Sequence, residues 1–417
     1  MTNANQSHAS VSSIDRLRKR KLTSWIDAFV NCTGGIEAPP LFRKWAAIST
    51  IAGVLEQKVF VTTTSPMYAN MYVFLVAPPG GGKSRTIDIA HDMLSTLPDP
   101  MIAPTSVNAA SIIDQLCECK RCITDSHGPS VEYHSMNVLV GEFGTFMSQY
   151  DNSLIALLTD FYNVRPYGQR RRGGNLKITI PRPQLNMLIG TTPANLMRFM
   201  PEGAWTQGFT SRIMFVYSDE KEVVDDFAQH RVLMNTDLVN DLKVINSLSG
   251  QFVVTEDYRH LVNIWREGDE NTPPKPDHPK LHHYNARRKE HLYRLSMISA
   301  VDHGNALVLT QEDFMRAMRW MVEVEAHIPE IFAAVTMTAD SEAADEAVHM
   351  IAAHGGMVQE TTLARFLHKR VGTNCVETLI GVMIQGGLIR LDHKDRFGAS
   401  YYTLCAGPGE PKGKDKN

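Results

Sequence analysis

Apolar residues at helical spacing open the readable part of the chain. Residues 1–12 are polar; Ser13 is positioned to cap a helix running to about Val30, with Leu17, Trp25, Ile26 and Phe29 on or near one face. Phe42 to Leu55 repeats the pattern, with Trp45, Ile48, Ile51 and Val54 at helical intervals. The period then changes. Short apolar runs at Tyr72–Val76, Val138–Val140, Leu185–Gly190 and Ile213–Tyr217, and a further strand near Met101–Val107, alternate with helical stretches. That alternation predicts an α/β core, a parallel sheet with helices on both faces.

Beyond Tyr217 the pattern is helical again, broken by a loop at Gly268–Pro279 that holds Pro273, Pro274, Pro276 and Pro279. A helix is expected from about Tyr284 to Val301 and another from Gln311 to about Ala334. A linker, Thr336–Ser341, leads to helices at Glu342–Ala353, Glu360–Lys369 and Asn374–Gln385, then a hairpin (Leu388–His393, Ala399–Leu404). Three helices and a two-stranded wing form a winged-helix pattern. The expected division is a helical N-terminal segment (1–66), the α/β core (67–220), a helical region (221–335), the winged helix (342–405) and a disordered tail (406–417) rich in Gly, Pro and Lys.

Composition narrows the function classes. A chain of 417 residues exceeds one compact core. Its net charge of −3 excludes a polybasic coat, so any nucleic-acid surface has to be local. No apolar run approaches the roughly 20 residues that span a bilayer. The N-terminus is polar and then basic (Arg16 to Lys21), without the apolar stretch of a secretory signal. Six irregularly spaced cysteines make no disulfide framework. A cytoplasmic protein with no membrane partner is expected. Cys117, Cys119, Cys122 and His127 are too short and irregular in spacing for a typical zinc knuckle, and read as ordinary thiols before a hairpin.

The chemistry begins at Ala77-Pro78-Pro79-Gly80-Gly81-Gly82-Lys83-Ser84, which follows an apolar strand and opens a helix at Arg85. This is the context of a P-loop. Pro79, Gly80, Gly81, Gly82, Lys83, Ser84 and Arg85 are the expected nucleotide contacts, with backbone N–H groups around the phosphates of ATP. Lys83 would reach the β- and γ-phosphates, and Ser84 would hold Mg²⁺. Asn137 to Glu142 reads as a neighbouring strand with Glu142 at its exit, the candidate general base. Glycine at 141 stands where a Walker B aspartate is usual, which leaves Mg²⁺ to Ser84 and water-mediated contacts. Thr191-Thr192-Pro193 ends another strand and offers a polar side chain to orient the attacking water.

With Phe209-Thr210-Ser211-Arg212-Ile213 the pieces resemble the AAA+ helicases of the minichromosome maintenance (MCM) type, especially those of bacteriophages and mobile elements. Ser211-Arg212-Ile213 is similar to that family's arginine-finger segment, Thr192-Pro193 falls at its sensor-1 Asn-Pro, and Arg287-Arg288-Lys289-Glu290-His291-Leu292-Tyr293-Arg294-Leu295 resembles its sensor-2 helix. The resemblance covers about Tyr68 to Leu404 and makes 67–220 the AAA+ ATPase core and 221–335 its lid. It implies that Arg212 is supplied to a neighbour's γ-phosphate, that Arg287 is the sensor-2 residue, and that the protein forms a ring, expected to be a hexamer. Departures at Ala77, Gly141 and Thr192, and the absence of the family's zinc-bearing collar, mark a divergent relative rather than a cellular MCM.

Between Phe161 and Arg182 lie Arg165, Arg170, Arg171, Arg172, Lys177 and Arg182 with no acidic residue, and Leu176, Ile178 and Ile180 alternate like a strand. In helicases of the resembled kind a hairpin before the sensor-1 strand grips single-stranded DNA in the channel; here Arg165, Arg170, Arg171, Arg172 and Lys177 would do so. The last helix of the winged-helix unit carries Glu377 and no Lys or Arg, so phosphate or subunit contact is expected of that unit rather than base readout. The expected function is an ATP-dependent, ring-forming helicase on single-stranded or forked DNA, serving replication of a phage or mobile element beside an initiator, primase or polymerase. An origin-binding initiator or helicase loader, working as an ATP switch, is the alternative.

Overall fold

The computed structural model describes residues 20–104, 108–123, 130–148, 151–170, 177–200, 202–206, 208–225, 235–371, 375–396 and 398–405. The chain divides into two units, 1–331 and 332–417.

A five-stranded sheet organises the first unit. Its strands are β1 (Tyr72–Val76), β2 (Lys120–Ile123), β3 (Val131–Val140), β4 (Pro183–Thr191) and β5 (Ile213–Tyr217), in the spatial order β2-β3-β4-β1-β5. β3, β4, β1 and β5 run parallel, and β2 joins antiparallel to the start of β3. β1, β4 and β5 are buried along their whole length, as strands covered on both faces must be. The expected edge strand near Met101 is a single parallel bridge, Ile102 to Asn137. β2 already occupies the first half of that edge.

Each face has its own covering. On one, the Tyr72 hydroxyl donates to Leu158 in helix Asn152–Tyr162, and Phe74 meets Phe143 and Phe215 in an aromatic layer. On the other, Asn186 donates to the Ser49 carbonyl of helix Pro40–Leu55 and to Asn137. The N-terminal segment is therefore part of the sheet's packing. Its first helix among the described residues is Trp25–Cys32, capped by Ser24; the expected cap at Ser13 lies outside them.

Beyond β5, helix Arg288–His303 is anchored through buried polar groups. Arg288 is fully buried and bonds Glu325 at 2.8 and 2.6 Å. Tyr284 donates to the same carboxylate at 3.0 Å. Such a pair contributes little net stability when intact, but losing one partner strands a buried charge.

The second unit packs helices Glu360–Leu367 and Val376–Gln385 with the end of Ile328–Ala353 against an antiparallel sheet, with Leu363, Leu367, Leu379, Met383 and Tyr402 in its core. The expected hairpin, Ile389–Lys394 with Ser400–Leu404, gains a third strand, Met357–Gln359. The expected linker at Thr336–Ser341 is helical backbone within Ile328–Ala353, because nothing between Glu330 and Ala353 is a glycine or proline. No helix among the described residues is long and apolar enough to cross a membrane.

Candidate nucleotide site

The loop after β1 closes around a cavity of about 490 Å³ lined by Pro79 to Arg85, Glu142, Thr192 and Asn195. Three strand exits converge there: β1 delivers the loop, β3 delivers Glu142 and β4 delivers Thr192. Gly80 and Gly82 adopt φ of +78° and +71°, which an L side chain resists. At Gly82 a Cβ would also fall 2.5 Å from the Glu37 carbonyl, so the segment before helix Pro40–Leu55 braces the loop from behind. Helix Lys83–Ser95 starts at Gly82 with no side-chain cap, leaving its first N–H groups free for an anion.

Lys83 is folded back on its own loop. Its ammonium donates to the carbonyls of Ala77 and Pro78, both at 2.9 Å. Burial holds its pKa below the ordinary lysine value, partly offset by Glu142. The Ser84 hydroxyl donates to the Gly141 carbonyl at 3.3 Å. A Cβ on residue 141 would lie 3.1 Å from that hydroxyl oxygen, so glycine fits where a Walker B aspartate would crowd Ser84. The donor set fits a phosphate chain, with uncapped N–H groups, one lysine and one hydroxyl. It fits Mg²⁺ through the Ser84 hydroxyl, with Glu142 the cavity's only carboxylate among the described residues.

Sequence reasoning missed Asn195. Its amide donates to Glu142 Oε1 at 2.9 Å. The Thr192 hydroxyl, expected to orient water, lines the cavity and accepts from the Asn195 backbone N–H as the cap of helix Pro193–Phe199, which leaves its own proton to donate. The available signal was the spacing: a polar residue three positions after a capping threonine faces back along the helix entry.

The expected arginines are elsewhere. Arg212 precedes Ile213, which pairs with Tyr72 at the start of β1, whereas the loop follows Val76 at its end. Four strand steps separate the two ends by about 13 Å. Arg212 is buried, donates to the Gly208 carbonyl and lies over the Tyr162 ring. Burial, with the Arg287 charge beside it, lowers its pKa to about 10. Arg287 pairs with Glu290 at 2.6 Å. Arg165, Arg287, Glu290 and Arg294 line a polar cleft of about 300 Å³. Around it, buried Tyr162 Oη, Arg212 Nε, Arg294 Nε and His291 Nδ1 lack hydrogen-bond partners. The structure thus gathers the finger and sensor-2 candidates together, away from the loop of their own chain.

The basic segment forms the expected hairpin, Tyr167–Arg170 paired with Lys177–Ile180, Arg170 facing Lys177. Arg171 and Arg172 lie outside the described residues. Phe161 packs edge-on to Tyr167 at the hairpin's foot, 5.5 Å between ring centres. Cys119 is buried and Cys122 contacts Ser130; no metal-donor cluster exists among the described residues.

His291 ties helix Arg288–His303 to the segment before β5, its Nε2 donating to the Ser211 carbonyl at 2.9 Å. Burial lowers its pKa to about 4. Between pH ~6.5 and ~4 the unfolded chain binds a proton here that the folded chain does not, so stability falls on acidification. About 2 kcal/mol should be lost from pH 7 to pH 5 by urea unfolding. An equal loss in His291→Gln would show that this histidine is not the cause.

No protein-family model matches the chain, and no curated protein is significantly similar to it.

Proposed function

We propose that the protein is an ATP-dependent, ring-forming DNA helicase of the AAA+, MCM-like kind, moving on single-stranded DNA in the replication of a phage or mobile element. One observation carries the reading: the phosphate loop and its carboxylate sit at one end of the sheet, and the arginine cluster sits at the other. A site with that division is completed by a second copy, and head-to-tail repetition of such an interface closes a ring.

ATP with Mg²⁺ supplies the phosphoryl group that passes to water. The N–H groups of the loop hold the phosphates, and Lys83 exchanges its two carbonyl partners for phosphate oxygens. The Ser84 hydroxyl, bonded to the Gly141 carbonyl, is the group that would hold Mg²⁺, whose charge would offset that of the phosphates. Glu142 takes the proton of the attacking water, its carboxylate held by Asn195. Arg212 and Arg287 of the neighbouring copy meet the charge that develops on the transferred group. The hairpin carrying Arg170 and Lys177 would follow the DNA backbone. In the second unit, three helices and a small sheet match the winged-helix pattern. Its Val376–Gln385 helix, without Lys or Arg, suits subunit or phosphate contact.

Strand displacement on a forked duplex tests the reading. The parent should release the strand in the presence of ATP and Lys83→Ala should not; equal unwinding by the two would overturn the mechanism. Gly141, which leaves the metal no strand carboxylate of its own, favours a second reading as an initiator or loader switch. DNA-stimulated ATP hydrolysis with no displacement would select it.

A further inference from the structure

A second cleft, of about 400 Å³, lies between the turn that follows strand Val59–Thr62 and helix Glu256–Glu267. Arg259, Asn263 and Arg266, at positions i, i+4 and i+7, share the helix face that lines it. Opposite them stand the exposed Thr62, Thr63 and Thr64. Among the described residues no carboxylate lines the cleft. Arg259 has one weak exposed pair, with Glu256 at 3.5 Å, and among the described residues Arg266 has no ion-pair partner. Behind the arginines, the buried Tyr258 hydroxyl lies beside Ser296, and Tyr258 lines the cleft. Tyr293 adds a half-buried ring.

The cleft also has a place. The turn that supplies Thr62 to Thr64 continues into Ser65 to Tyr68, which line the cleft of Arg165, Arg287 and Arg294. Helix Arg288–His303 likewise gives Tyr293 to one cleft and Arg294 to the other. A hydroxyl-rich turn is thus flanked by arginines on both sides, and Arg165 begins the run into the basic hairpin.

We infer that the Arg259–Arg266 cleft binds a phosphate group of a nucleotide, the arginines and the threonine and Tyr258 hydroxyls donating to its oxygens and the Tyr293 ring offering a stacking surface. Two guanidiniums on one hollow, with no carboxylate lining it among the described residues, are a donor set lacking its acceptor. The source we favour is the backbone of single-stranded DNA, continuing the path from the hairpin; that choice rests on the helicase reading, whereas the phosphate site does not.

The test uses the full chain and two variants, the double substitution Arg259→Ala, Arg266→Ala and the isosteric Tyr258→Phe. Anisotropy of a labelled oligothymidylate against salt should give a slope shallower by about 1.4 in the double variant, two contacts at about 0.7 each. Tyr258→Phe should bind about tenfold more weakly, the loss of one hydrogen bond to a charged group. In parallel, calorimetry with a non-hydrolysable ATP analogue counts sites. Two equivalents per parent chain and one in the double variant would assign the same phosphate site to a free nucleotide instead. A parent that binds no oligothymidylate counts against the helicase, and the analogue count then decides the cleft. Unchanged slope together with unchanged stoichiometry in both variants overturns the proposal.

Discussion

Glutamine in place of Glu142 should slow ATP hydrolysis by about 10²–10⁴ while leaving nucleotide binding intact, the range a positioned general base contributes. The carboxylate lines the loop cavity and is its only acid among the described residues. The substitution keeps shape and volume and removes the basic oxygen. Asn195→Ala is the companion variant. Asn195 donates to Glu142 Oε1 and lies in the same cavity, so it acts through the base. Its loss should lower kcat by a smaller factor, because the carboxylate loses the amide that holds it in place. Binding of a fluorescent ATP analogue and single-turnover hydrolysis separate these effects. A Glu142→Gln enzyme with parental turnover would remove Glu142 from the reaction.

What was legible in the sequence follows from what each signal encodes. β1 and β5 begin and end where the apolar runs place them, because an eight-residue glycine loop and a polar exit bound them sharply. β3 was seen only in its last three residues. Its first half, with Glu132, His134 and Ser135, carries polar side chains that pair with Lys120 of β2, the Leu116 carbonyl of a helix and Gln184 of β4, so it does not read as an apolar run. The linker at Thr336–Ser341 failed for the opposite reason: small polar residues resemble a loop until the absence of glycine and proline is weighed against the helices on either side.

The site divides the same way. The loop motif is local, so Gly80 to Ser84 could be assigned from spacing alone. Asn195 and Arg294 could not be, because their contacts depend on which segments meet. Asn195 reaches Glu142 only because β3 and β4 are neighbours. Arg294 donates to the carbonyls of Tyr68 and Asn70, at 2.8 and 2.6 Å, and lies 4.2 Å from the Tyr162 ring centre. No spacing rule brings three segments so distant in sequence together. Even the glycine at 141, a departure from the usual pattern when read as a letter, has its explanation in the approach of Ser84.

Arg212→Ala should lower ATP hydrolysis by about 10³–10⁵, the effect of removing an arginine that meets transition-state charge from a neighbouring subunit. In the isolated chain this side chain faces inward, buried with an unpartnered Nε beside the like charge of Arg287. A phosphate brought to the cluster would supply the missing acceptor and offset the repulsion, so engagement with a neighbour should draw the guanidinium outward. The distinguishing experiment mixes two inactive proteins. Lys83→Ala lacks the lysine of the loop but keeps Arg212; Arg212→Ala lacks the finger but keeps the loop. If the two halves come from different copies, equal mixing restores roughly a quarter of the interfaces, those pairing an Arg212→Ala loop with a Lys83→Ala finger. Recovery of hydrolysis in the mixture, absent from either protein alone, is the expected result. A mixture as inactive as its components, with oligomers forming normally, would mean that Arg212 does not act across the interface.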